Sequence, residues 1–325
     1  MHMEDWRCPR DDERQLSSRN AFLFKVYALA EDRWGNIWTG SYTSGLSAFK
    51  ENRFTNYSDK NPLPLNRVRF IYKDTNRDLW AASGDGILKI LGPGKFEPVI
   101  TNRDLPYFIT ACLYDPQKDS LWIGTGEGLC RYDGLDFASS READSLPADV
   151  VTVSFVDDLG KLWFGFNNGE VWSYDGITFT PHSLDENINT SITGITQSEE
   201  EGILIATQNQ GIYHYTPEGE AKTFDPSFAN NLITAIHVSG ENLLVGGQEG
   251  LFLHKLGDQP EEIFAIEELS YLKIQKIRDA YDKNSFWIAT EDEGMYFLEL
   301  FPDSIGVRRM GEDFNMAYEN VQDIL

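Results

Sequence analysis

The amino-acid sequence predicts an all-β protein, a seven-bladed β-propeller with four antiparallel strands per blade. Three observations predict it. A short apolar string recurs seven times at nearly constant spacing. A glycine stands six or seven residues behind the second position of each copy. No stretch carries strong helical periodicity, so the repeats read as strands.

The string runs Ile37-Trp38-Thr39-Gly40, Leu79-Trp80-Ala81-Ala82, Leu121-Trp122-Ile123-Gly124 and Leu162-Trp163-Phe164-Gly165 in the first four units. It continues as Ile203-Leu204-Ile205-Ala206, Leu243-Leu244-Val245-Gly246 and Phe286-Trp287-Ile288-Ala289. Its second positions are 42, 42, 41, 41, 40 and 43 residues apart, and five of the eight tryptophans share that phase. Upstream of each lies a β-branched residue: Val26, Val68, Ile109, Val151, Ile192, Ile233 and Ile274. An acidic turn often separates the two, as in Glu31-Asp32-Arg33-Trp34-Gly35-Asn36 and Asp157-Asp158-Leu159-Gly160-Lys161. Such turns suit hairpins in which Gly or Asn takes positive φ.

Each unit therefore opens with a strand carrying the β-branched residue and continues with a strand carrying the Trp position. A third strand follows the recurring glycine (Gly45, Gly86, Gly128, Gly169, Gly211, Gly250, Gly294), and a fourth follows a second turn such as Tyr174-Asp175-Gly176. An apolar residue directly follows that glycine except in the fourth unit, where Glu170 is interposed before Val171. Four strands in 40–45 residues is the size of a propeller blade. The Trp position is expected to fill the wedge between blades, where burying such a ring contributes roughly 1.5–3 kcal/mol. Gly or Ala two positions later lets neighbouring blades approach closely.

Residues 1–20 fall outside the pattern and are expected to form a tail or strap, with the propeller over 21–318. Residues 319–325 resemble the first strand of an eighth unit, which suggests a piece of a longer protein. The net charge of −24 opposes nucleic acid and anionic membrane surfaces. No apolar run reaches the roughly 20 residues that cross a bilayer. Cys112 and Cys130 are expected on the first and third strands of one blade, about 9–10 Å apart and too far for a disulfide.

The full unit, V-x-x-I-x-x-D-x-x-G-x-(I/L)-W-(I/F/T)-G-(T/S)…G-L, is similar to the two-component regulator propeller repeat. The resemblance is carried best by Asp32–Gly40 and Leu121–Leu129, and it weakens in units five and six, where the Trp and the acidic turn are lost. It implies the extracytoplasmic, periplasmic sensor part of a hybrid two-component histidine kinase. In the native protein an export signal would precede this chain, although residues 1–15 lack a signal-peptide layout. A second propeller and self-association in the full-length protein are further implications, as is a polysaccharide-derived ligand.

Catalytic chemistry is not expected. The five histidines, His2, His182, His214, His237 and His254, lack metal-ligand spacing, and no cofactor or metal site is expected. Gly124-Thr125-Gly126-Glu127-Gly128 joins strand to strand and is not expected to hold phosphate. The competing classes are a propeller enzyme, lyase or glycosidase-like, that would use His237 or Glu127, and a protein–protein scaffold.

The expected ligand site is the face where second-to-third-strand loops and blade-to-blade connections meet. Its candidates are Tyr42, Asp85, Glu127, Asn167, Asn168, Asn209, Gln210, Gln248, Glu291 and Asp292, with Tyr107 on a connection between blades. Amides and carboxylates suit the hydroxyls of a small-molecule or oligosaccharide ligand, and the tyrosines offer rings for stacking. The strong negative charge favours a neutral or cationic ligand.

Overall fold

The computed structural model describes residues 26–310 except 42–44, 51–52, 58–66, 75–76, 84–85, 102–108, 116, 134–136, 140–148, 186, 200–201, 217–218, 226–227, 229–230, 258–262, 281, 292, 294 and 303. The expected tail at 1–20 and the eighth-unit start at 319–325 lie outside the described residues.

Seven four-stranded antiparallel sheets follow one another along the chain, each a simple meander. Each of the seven β-branched positions opens a first strand: Val26–Glu31, Val68–Lys73, Ile109–Asp115, Val151–Val156, Ile192–Ser198, Ile233–Ser239 and Ile274–Asp279. Six of them, from Val68 to Ile274, are core, and Val68, Val151, Ile192 and Ile274 have no exposed surface. The blades stack through hydrophobic clusters that each join one blade to the next, from blades one and two through to blades six and seven. Ala30 of blade one lines the same central cavity as Lys276 and Arg278 of blade seven.

The Trp position does the packing expected of it. Trp38, Trp122, Trp163, Leu204 and Leu244 are all buried, and Trp80 and Trp287 are half-buried. Two residues on, the small side chain is required by the neighbouring blade. A Cβ on Gly40 would stand 2.6 Å from Val68 Cγ1, and one on Gly246 would stand 2.5 Å from Ile274 Cγ2. The third-strand glycines serve a different need: Gly45, Gly86, Gly128, Gly169, Gly211 and Gly250 all take positive φ, between 60° and 140°.

The acidic turn proves to be a clamp on the tryptophan. In blade one, Asp32 accepts hydrogen bonds from Trp38 Nε1 at 2.8 Å, from Asn36 Nδ2 at 2.6 Å, and from the backbone N–H groups of Asn36 and Trp34. Asp74 holds Trp80 Nε1 at 2.9 Å and Asp157 holds Trp163 Nε1 at 2.9 Å, each six residues along the chain. Blade three carries one more residue between Asp115 and Trp122, and there the indole N–H is buried without a partner. Asp115 turns instead to the backbone N–H groups of Gln117 and Lys118. The turn thus supports the hairpin and anchors the core ring.

A second device was not anticipated from the sequence. In every blade the pairing of first and second strands slips by one residue directly after the β-branched position. The extra residue is a bulge, and in blades three to six it is a threonine. Thr152 Oγ1 donates to Gly165 O within its own blade at 3.1 Å or to Ile192 O of the next blade at 2.6 Å. Thr234 has the same pair of acceptors in Gly246 O and Ile274 O. These hydroxyls tie blade four to five and blade six to seven.

The two cysteines sit as expected. Cys112 and Cys130 both pair with Ile123, one on either side of it, and neither forms a disulfide.

Candidate functional site

In a four-stranded meander, the loop between strands two and three emerges at the same end as the connection to the next blade. The structure joins these two sets through the backbone. Asn167 N–H donates to Val150 O at 2.9 Å, Gln208 to Ser191 O at 2.8 Å, Gln248 to Leu232 O at 3.2 Å and Glu291 to Lys273 O at 2.8 Å. The hydroxyl that ends the second strand caps the same loops. Thr125 Oγ1 donates to Gly128 O and accepts from Glu127 N–H, and Thr207 Oγ1 likewise serves Gly211 O and Gln210 N–H. The loops of blades four to seven are therefore fastened to the connections, and those of blades three and five are also capped by a hydroxyl.

Of the expected site residues, Glu127, Asn167, Asn168, Asn209 and Gln248 are exposed on the rim these loops form, and Gln210 and Glu291 are half-buried. Tyr42, Asp85, Tyr107 and Asp292 lie outside the described residues. Some of the polar groups are already committed. Gln210 accepts from Asn189 N–H at 3.2 Å and donates to Asn187 O at 3.1 Å, so its amide fastens the connection between blades four and five. Glu291 pairs with Lys273 at 3.2 Å. Asn168 Oδ1 accepts from Glu170 N–H at 3.0 Å.

Asn168 borders a cavity of about 290 Å³ that it shares with Glu170, Trp172, Pro181, Ser183 and Asp185. The half-buried Trp172 donates its indole N–H to Glu170 Oε2 at 3.0 Å. These residues were missed from sequence, although the interposed Glu170 signalled that the fourth loop differs. The third strand here starts at Val171, after Glu170. No described cavity gathers the other expected residues; Gln248 borders only a crevice of about 10 Å³. A larger cavity, about 660 Å³, occupies the centre of the ring.

Two histidines have defined settings. His237 Nε2 lies 3.0 Å from Asp279 Oδ1 across blades six and seven. The Asp279 carboxyl is raised by burial but lowered further by hydrogen bonds from His237 and Ser239 and by the charges of His237 and Arg278, so it is held below its ordinary value. His182 is buried, stacks on Trp163 at 4.6 Å and meets Ser173 Oγ through Nε2 at 2.6 Å. This Ser–His pair is a core contact, since Ser173 has no exposed surface to offer a substrate. Among the described residues, no three His, Cys, Asp or Glu side chains come together in a group that would hold a metal.

The environment of His182 carries a pH prediction. Burial, reinforced by the Lys161 charge, lowers its pKa from 6.5 to about 4. The unfolded chain therefore takes up a proton that the folded chain refuses. The full contribution is present above pH 6.5 and is lost as pH falls toward about 4, a loss on the order of 1–3 kcal/mol. Melting curves between pH 4.5 and 7 should show this slope in the native protein and a shallower one in His182→Gln. Equal slopes would assign the acid sensitivity to other groups.

No family model matches the chain, and no curated protein does. Solved structures do. A structure described as the extracellular domain of a hybrid two-component system from B. thetaiotaomicron superposes with a TM-score of 0.64 at 20% identity. The match covers 85% of this chain and 38% of that one, so the chain spans well under half the length of that domain. Virginiamycin B lyase from Staphylococcus aureus superposes with a TM-score of 0.66 at 16% identity, over 86% of this chain and 96% of the lyase. Likeness at these identities establishes the propeller fold that the two proteins share with this chain.

Proposed function

We propose that this chain is a non-catalytic, ligand-sensing propeller, the extracytoplasmic sensor part of a hybrid two-component histidine kinase. The observation that carries this reading is the rim itself, where amides and carboxylates recur at one end of successive blades on loops locked by backbone bonds. Such preorganised groups bind a ligand without first having to be ordered. The similarity to an extracellular domain of a two-component system supports the extracytoplasmic placement. The ligand in this reading is a neutral oligosaccharide, recognised beside blade four by Asn168 and Trp172, with Tyr42 and Tyr107 as further ring platforms.

Calorimetric titration of the chain with a panel of neutral oligosaccharides tests this. Asn168→Ala is expected to weaken binding about tenfold with an unchanged melting temperature, the size of one lost hydrogen bond to a ligand in a partly dry site. Full affinity in both Asn168→Ala and Tyr42→Ala would remove this face from consideration.

The likeness to a lyase and the His237–Asp279 pair favour one second reading, a propeller enzyme. Consumption of a candidate substrate, abolished by His237→Ala, would replace the sensor reading.

A further inference from the structure

The first strands follow a common register, and blade seven departs from it. The residue paired with the Trp position is Ala30, Tyr72, Leu113, Phe155, Thr196, His237 and, in blade seven, Arg278. Two residues earlier the series is Ala28, Phe70, Ala111, Val153, Gly194 and Ala235, and then Lys276. Both cations therefore share one face of the strand and stand where the other six blades place neither lysine nor arginine. Two long cations stand there in a chain with 28 Lys and Arg against 52 acids, and Arg278 lies beside the Asp279 carboxylate and donates through Nη1 to Ile277 O at 3.3 Å.

Both cations line the central cavity of about 660 Å³, where Ala30 of blade one has only a methyl group. Hydroxyls line other parts of that cavity, among them Tyr72, Thr110 and Ser154. Tyr72 OH and Thr110 Oγ1 are buried and make no hydrogen bond. Thr110 is the bulge residue of blade three, and its counterparts Thr152 and Thr234 bond to backbone carbonyls. A buried hydroxyl without a partner is costly unless something fills the space beside it.

We propose that the central cavity binds a small hydroxylated carboxylate, its carboxylate held by Lys276 and Arg278 and its hydroxyls met by Tyr72 and Thr110. The Arg278 guanidinium offers a planar fork that matches a carboxylate, and Lys276 adds a second charge on the same strand face. Tyrosine and threonine hydroxyls both donate and accept, which suits hydroxyl groups of a sugar acid. The cavity is within the range that takes small molecules. The net charge of −24 does not exclude such an anion, because fields from distant exposed charges are screened beyond about 8 Å. This site is separate from the loop-rim reading, and either can fail alone.

The test is calorimetric titration of the chain with glucuronate, glucose, acetate and inorganic phosphate. Glucuronate is expected to bind at least tenfold tighter than glucose or acetate, and tighter than phosphate. Lys276→Met and Arg278→Leu should each weaken glucuronate at least tenfold. Tyr72→Phe should weaken it several-fold while leaving the melting temperature of the empty protein equal or higher, because an unpaired hydroxyl has been removed. If the charge variants do not fold, Tyr72→Phe and Thr110→Val decide. Glucuronate binding no better than glucose or acetate, phosphate binding tighter, unchanged glucuronate affinity in the folded variants, or a cavity holding water only would each overturn the proposal.

Discussion

Gly165→Val is expected to destabilise the protein by about 3 kcal/mol or more, the upper end of what overpacking a core produces. The reason lies in how two blades meet. A Cβ on Gly165 would stand 2.5 Å from Ile192 Cγ2, 2.7 Å from Ile192 Cβ and 2.7 Å from Val153 Cγ1. One of those neighbours is in blade five and the other is in the same blade, so the added group is caught from both sides. Blades two, five and seven carry Ala at this position, which shows that a methyl is tolerated where the facing blade is set for it. Valine adds two further methyl groups with a stiff χ1. Denaturant unfolding would measure the loss, and Gly165→Val combined with Ile192→Ala should recover much of it. A loss below about 1 kcal/mol would mean that the blades slide apart easily, and the close-approach account would be wrong.

The same contact explains why the architecture could be read from sequence. A blade must present a β-branched residue, a large core residue and a small residue at fixed register, and each requirement leaves a residue type behind. Ile192 against Gly165 and Ile274 against Gly246 are two cases of one rule. Strand boundaries followed directly, because first strands begin at the β-branched residue and six third-strand glycines take positive φ. The function of the acidic turn was less legible. The six-residue interval from Asp32 to Trp38 is visible in the chain, but only the fold shows that a carboxylate at that interval reaches the indole N–H. The insertion in blade three, which leaves Trp122 Nε1 without that partner, tests the rule within one molecule.

The candidate site was legible only as a location. Sequence identifies loops rich in amides, but whether an amide faces solvent or its own backbone depends on residues elsewhere in the chain. Gln210 is the clear case, because its partners Asn187 and Asn189 belong to the preceding connection between blades. Trp172 was overlooked because it occupies a third-strand position filled in other blades by residues such as Leu88 and Tyr213, and nothing local marks it. Lys276 and Arg278 are visible in the sequence as charges in an apolar strand pattern. Their placement on the central cavity needs the register of all seven blades.

Asp32→Ala is expected to cost roughly 3–5 kcal/mol, since each buried donor left without an acceptor costs about 1–3 kcal/mol and the losses are only partly relieved by water. Asp32 is 5% exposed and serves Trp38 Nε1, Asn36 Nδ2 and two backbone N–H groups. Removing it frees a turn and a core ring together. Asp32→Asn keeps the shape but replaces one accepting oxygen with a donor, so it should lose a large part of the same energy. The pH dependence separates charge from shape. Burial raises the Asp32 carboxyl, but hydrogen bonds from Trp38, Asn36 and Trp34 outweigh it and hold the group below its ordinary 3.8. The sign follows: the ionised carboxylate contributes fully above pH 3.8 and loses that contribution as pH falls below it. The stability gap between the native protein and Asp32→Asn should therefore be constant from pH 7 to 5 and narrow toward pH 2.5. A gap that stays constant through that acid range would show that the clamp works by shape alone, with no share carried by the charge.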